Sequence, residues 1–224
     1  MIRKQRILSI LKNPVNPVYS SRRPGQDDNQ GPRSHSFENR YMQETIDIRL
    51  ARPEDVPALE RLLERSVRGL SAGYYTPRQI ESALAHAFSI DRQLIADGTY
   101  YLAELAAEGR LVGCGGWSRR RTLHGGDHAS KSDASVLDPA VDAARIRAFF
   151  IDPDFARRGI GRRLIETCEA AGRAAGFTRF VLGSTLPGEP MYSALGYVAL
   201  EREDHLMADG EVLPLVIMEK RVAG

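Results

Sequence analysis

A chain of 224 residues, 42% of them hydrophobic, has enough apolar surface to bury one core, and it reads as a single domain with an N-terminal extension. A net charge of +2 argues against nucleic acid as a partner, and no apolar run approaches membrane-spanning length, so no membrane role is expected. Cys114 and Cys168 both have apolar neighbours, which suits free thiols in a reducing compartment, the cytoplasm, better than a disulfide scaffold.

From Met1 to Gln26 the chain carries Arg3, Lys4, Arg6, Lys12, Arg22 and Arg23 and no acidic residue. The following stretch to Asn39 is dense in Pro, Gly, Ser, Asn, Gln and charge, and its burial cannot offset its ordering entropy. Residues 1–44 are therefore expected to be a disordered extension, dispensable for catalysis up to Tyr41, with the folded domain spanning residues 45–222. A basic, acid-free leader is also how an organelle transit peptide reads, and that alternative stays open.

Thr45 to Leu50 alternates, with Ile46, Ile48 and Leu50 on one face, which predicts a strand. Pro53, Glu54 and Asp55 suit the positive start of a helix carrying Val56, Leu59, Leu62, Leu63, Val67 and Leu70. Tyr74 and Tyr75 follow in a loop, and Thr76-Pro77-Arg78-Gln79 is a capping-box pattern for a second helix through Ile80, Leu84 and Phe88. Asp91 to Gly98 reads as a short helix capped by Asp91 in preference to a hairpin turn at Asp97-Gly98. Thr99–Ala106 and Arg110–Trp117 form a hairpin, and Gly113, Gly115 and Gly116 point to a bulge or a close backbone approach.

Ser118 to Asp142 is long for a connection and has no clear period. His124, Asp127 and His128 lie in it, but a Gly-containing loop without a third strong ligand does not predict a metal site. Ala144 to Ile151 reads as a buried strand, which Asp152-Pro153-Asp154 breaks. Ile160, Leu164, Cys168, Ala171 and Ala175 then fall at helical spacing up to Gly176. Between strand and helix stand Gly159 and Gly161, crowded by Arg157, Arg158, Arg162 and Arg163. A helix start with glycines and arginines is a place for a polyanion such as a pyrophosphate. The turn lacks the third glycine of a dinucleotide fingerprint and the Lys-Ser/Thr pair of a P-loop. Thr178–Gly183 is the next strand, Met191–Leu195 a short helix closed by Gly196, and Tyr197–Leu206 with Val212–Lys220 a final hairpin.

The strand, Gly159-x-Gly161 turn and helix resemble the acetyl-CoA-binding motif of the GNAT superfamily of N-acetyltransferases, and Tyr192 before Leu195-Gly196-Tyr197 resembles its second hallmark. Ala156 departs from the Arg or Gln that opens the first motif. The resemblance implies an α/β fold, a mixed, largely antiparallel sheet flanked by helices and splayed between its fourth and fifth strands. It implies acetyl transfer from acetyl-CoA to the amine of an unidentified, small-molecule acceptor by direct attack, without a metal. Phe149, Phe150 and Ile151 would bind the pantetheine arm through their backbone, and Arg157, Arg158, Gly159, Ile160, Gly161 and Arg162 would hold the pyrophosphate. Tyr192 would be the general acid, and Tyr74 and Tyr75 candidates for the acceptor wall. The base is left open among Glu104, His124, Asp127, His128 and a water relay, and Arg145 and Arg147 stand on the central strand where some relatives carry the base. A protein N-terminus or lysine as acceptor, a non-catalytic acyl-CoA sensor, and a homodimer are the alternatives kept.

Overall fold

The computed structural model describes residues 45–121 and 135–223, so the expected extension and the stretch with His124, Asp127 and His128 lie outside the described residues. The strands are β1 Ile46–Leu50, β2 Tyr100–Leu105, β3 Arg110–Ser118, β4 Ala144–Ile151, β5 Arg179–Thr185, β6 Val198–Leu206 and β7 Val212–Arg221. They form one sheet in the order β1-β2-β3-β4-β5-β7-β6, antiparallel at every seam except β4 with β5. The closing hairpin folds back so that apolar β7 lies inside. Charged β6, with Glu201, Arg202, Glu203 and Asp204, is left as the edge, where charge discourages further strand pairing.

Helices α1 Val56–Ser71, α2 Pro77–His86 and α3 Arg92–Ala96 precede the second strand, α4 Ile160–Ala174 follows β4, and the short α5 Glu189–Ala194 follows β5. Leu59 and Leu62 of α1 pack with Tyr100, Leu102, Phe150, Leu213 and Leu215 on one face of the sheet. On the other face, Ile165 and Cys168 of α4 pack with Ile146, Phe180, Val216 and Met218, and Ile160 and Leu164 with Ala103 and Val112. The start of α1 lies three residues later than the proline suggests. Pro53–Asp55 is a single 3-10 turn, and the Asp55 carboxylate accepts from the Arg52 amide at 2.8 Å and from the Arg49 guanidinium. The capping box of α2 forms as expected, and the Asp91 carboxylate accepts from the amides of Gln93 and Leu94 to start α3. Ala175, expected on the buried stripe of α4, is exposed at the cap, while Glu169 and Gly172 are buried.

Two features of β4 shape the site. Cys114 pairs with Phe150 and Gly116 with Arg147, so Ala148 and Phe149 together oppose the single residue Gly115, a bulge. Ala148 adopts a φ of 59°, a region that a residue with a Cβ rarely enters, and its carbonyl accepts from the buried Tyr100 hydroxyl at 3.0 Å. On its other side β4 pairs with β5 only through Ala144↔Phe180 and Arg145↔Val181, after which the two strands part.

Candidate active site

The turn leaving β4 is clamped from below. The buried Asp152 carboxylate accepts from Arg65 of α1 at 3.0 Å, from Arg110 of β3 at 2.9 Å and from the Asp154 amide at 3.0 Å. Burial pushes its carboxyl up, but those three donors outweigh burial and hold it below the ordinary range. After the 3-10 turn Pro153–Phe155, Arg157 and Gly159 both take left-handed conformations, φ 65° and 82°. The first helical bond of α4 runs from the Arg163 amide to the Gly159 carbonyl at 3.1 Å. The amides of Gly159, Ile160, Gly161 and Arg162 therefore have no acceptor among the described residues, at the positive end of the helix.

The two glycines of the motif do different work. A Cβ on Gly159 would meet nothing within 4 Å, so its glycine serves the backbone angle and leaves space open above the amides. A Cβ on Gly161 would lie 2.5 Å from the Met191 sulfur, so that glycine lets α5 pack against the first turn of α4. The four arginines also divide. Arg157 and Arg162 line a cleft, Arg158 lies over the Phe155 ring at 4.7 Å, and Arg163 reaches the Ile46 carbonyl at 2.9 Å.

That cleft, about 740 Å³, follows the gap between β4 and β5 and has walls from both faces of the sheet. Phe149, Phe150 and Ile151 line it together with Gly159, Ile160, Gly161 and Tyr192. The Asp152 amide bonds to Val112 of β3, so by antiparallel alternation the Ile151 amide points away from β3, and there it donates to the Ser66 hydroxyl of α1 at 3.0 Å. Tyr192 packs edge-on against Tyr197 with 5.8 Å between ring centroids, and its hydroxyl has no hydrogen-bond partner among the described residues. Burial raises the Tyr192 phenol above its ordinary range, so it stays protonated at neutral pH. Behind the ring pair, buried Glu169 is held by the Lys220 ammonium at 2.7 Å.

Leu70 and Tyr74 of the α1 region line the cleft as well, together with Phe88, Phe150, Leu213 and Leu215. The tyrosine pair splits. Tyr74 is exposed at the rim, whereas Tyr75 is buried, its hydroxyl donating to the Pro214 carbonyl at 2.7 Å and accepting from the Leu186 amide at 2.9 Å. Arg147 is buried and paired with Asp91 at 3.0 Å, so it does not face solvent. Glu104 is paired with Arg49 at 3.0 Å beside the sheet edge and does not line the cleft. His205 of β6 does line it, with Nδ1 3.9 Å from the Glu203 carboxylate. Sequence reasoning passed over His205 because β6 reads as a charged edge. The available signal was its parity with Glu203 on the half-buried face of the strand. Burial pushes the Cys114 thiol up to about 12 and raises that of Cys168 as well, so neither offers a thiolate nucleophile at neutral pH.

Among the described residues no group of three or more His, Cys, Asp or Glu is placed to hold a metal ion, and no helix is long and apolar enough to cross a membrane. No curated protein matches the chain. Among solved structures it is similar to a GCN5-related N-acetyltransferase from Rhodopseudomonas palustris, at 23% identity and a TM-score of 0.60, covering 80% of this chain and 96% of that one. It is also similar to PaiA N-acetyltransferase from Thermoplasma acidophilum in complex with coenzyme A, at 17% identity, TM-score 0.52, and 79% and 99% coverage. A third is YncA, a putative acetyltransferase from Salmonella typhimurium with its cofactor acetyl-CoA, at 18% identity, TM-score 0.51, and 80% and 94% coverage. These likenesses concern the fold: an open sheet parted at β4 and β5. The model of the acetyltransferase (GNAT) family matches residues 62–197, a span that takes in the α1 wall, the β4 bulge, the amide turn and Tyr192, and the chain belongs to that family.

Proposed function

We propose that this protein transfers an acetyl group from acetyl-CoA to the amine of a small molecule by direct attack of that amine on the thioester. One observation carries the reading: four main-chain amides without partners among the described residues, at the start of α4, open onto the cleft made where β4 and β5 part. Such a group of N–H donors at a helix start suits a diphosphate, and Arg157 and Arg162 add charge at the same place. Ile160 and Gly161 sit beneath it, and Arg158 supports it through its stack on Phe155. The backbone of Phe149 to Ile151 would run beside the pantetheine, and the Ile151 amide, already given to Ser66, leaves that arm to the neighbouring groups.

Acetyl-CoA supplies the activated carbonyl and a thiolate leaving group. Tyr192, protonated and without a hydrogen-bond partner among the described residues, is the donor for the departing sulfur. His205 is the base, taking the proton from the amine directly or through water, with Glu203 near its other side. The high thiol values at Cys114 and Cys168 favour direct attack over an acyl-cysteine intermediate. Free buried thiols also favour a reducing compartment, the cytoplasm.

Thiol release from acetyl-CoA across a panel of amines tests the reading, alongside Tyr192→Phe and His205→Gln. The tyrosine change should lower kcat roughly 10²-fold with the KM for acetyl-CoA nearly unchanged. The histidine change should lower kcat/KM roughly 10²-fold. No thiol release with any amine defeats the enzyme reading, and an unaltered kcat in Tyr192→Phe removes that residue from the chemistry.

A further inference from the structure

The acceptor end of the cleft has an unusual charge inventory. Among the described residues lining the whole cleft there is not one Asp or Glu; of its arginines, Arg147 is neutralised by Asp91, and Arg157 and Arg162 stand at the turn assigned to the diphosphate. Of the carboxylates nearby, Asp91 pairs with Arg147, Glu189 with Arg202 and Glu211 with Arg78, while Glu203 stands 3.9 Å from Nδ1 of His205. The α1 side of the cleft is mainly apolar, with Ser71 and Ser89 among its lining residues. Phe88 and Phe150 meet edge to face with 6.1 Å between centroids, and Leu70, Leu213 and Leu215 complete the surface.

Resting on the acetyl-transfer reading above, we infer that the acceptor is a hydrophobic monoamine, an aryl- or alkyl-bodied primary amine, and that the cleft rejects polycations such as polyamines and lysine-rich peptides. Each further ammonium of a polycation would lose its hydration against apolar side chains and gain no counter-charge from the described residues lining the cleft. A monoamine carries one charge, and it sheds that charge before it attacks. Its body buries against the Phe88–Phe150 pair and the leucines, at roughly 25 cal/mol per Å² of apolar surface removed from water.

The test compares 2-phenylethylamine, spermidine and a lysine-rich peptide at saturating acetyl-CoA, with acetyl-CoA binding measured separately by calorimetry. The expected result is a kcat/KM for 2-phenylethylamine about tenfold or more above the other two. Tyr74→Glu, a change at the exposed rim where folding tolerates it, supplies the missing carboxylate and should improve spermidine relative to 2-phenylethylamine about threefold. Spermidine or the peptide turned over as well as 2-phenylethylamine, with acetyl-CoA bound, overturns the monoamine inference alone. So does a Tyr74→Glu variant with unchanged preference. Failure to bind acetyl-CoA, or no turnover of any amine, overturns the transfer reading and this inference with it.

Discussion

The two seams of β4 are built on opposite plans. Toward β3 the strand pairs from Arg145 to Ile151, and the one irregularity, the bulge at Ala148 and Phe149, is tied by the Tyr100 hydroxyl and fitted over Gly115. Toward β5 the strand pairs at Ala144 and Arg145 and then lets go. Opening a sheet leaves backbone groups without partners, and that is affordable only where something else fixes the strand. The closed seam does the fixing, so the open one can serve a ligand. Each seam can be disturbed separately.

Gly115→Ala should have the largest effect. The new Cβ would lie 2.4 to 2.6 Å from three atoms of the Phe149 ring, a rigid group packed against both α4-side clusters, so the bulge itself must shift. Overpacking of this kind costs about 2–3 kcal/mol, to be read from urea unfolding. Because Phe149 also lines the cleft, the Kd for acetyl-CoA should rise at least about tenfold. A variant that unfolds at the wild-type midpoint and binds acetyl-CoA normally would show that the bulge does not hold the gap.

Asp152→Asn attacks the same side of the comparison at the point where β4 ends, with a smaller expected loss of about 1–2 kcal/mol. The sign of the pH effect follows from the direction of the shift. The folded-state carboxyl lies below its ordinary value, so its stabilisation is present above an unfolded value of about 3.9 and is lost as pH falls through the lower folded value. Unfolding curves of wild type and Asp152→Asn should therefore run parallel from pH 7 to about pH 5 and converge only under stronger acid. Convergence already near neutrality would show that the Arg65 and Arg110 contacts do not govern this carboxylate.

Much of this arrangement was legible from local chemistry. Thr76-Pro77-x-Gln79 had one good use, as a capping box, and Asp91 with Gly98 bracketed α3, because caps are written in neighbouring residues. The α4 turn was readable for the same reason. The Gly115 contact with Phe149 was readable only as a need for closeness, since the ring it accommodates comes from another strand. What depends on distant parts of the chain was not readable: Asp152 looked like a strand breaker and is also the anchor for Arg65 and Arg110. Arg147 finds Asp91, Glu104 is spent on Arg49, and His205 reaches the cleft only because β7 takes the inner place and sets the position of β6.

The open seam is tested most finely at Gly159. Its φ of 82° is costly for any residue with a Cβ, so Gly159→Ala should lose about 1 kcal/mol of stability even though no atom stands in the way. Asn enters this conformation more readily than Ala, so Gly159→Asn should unfold closer to wild type. The two variants thus separate backbone angle from space. If the open volume above the amides is where the diphosphate sits, Gly159→Asn should bind acetyl-CoA more weakly than Gly159→Ala despite its greater stability, because its longer side chain competes for that volume. Calorimetric affinities that instead follow the stability order would mean that Gly159 serves the turn alone, and that the anion is held without the space its missing side chain leaves.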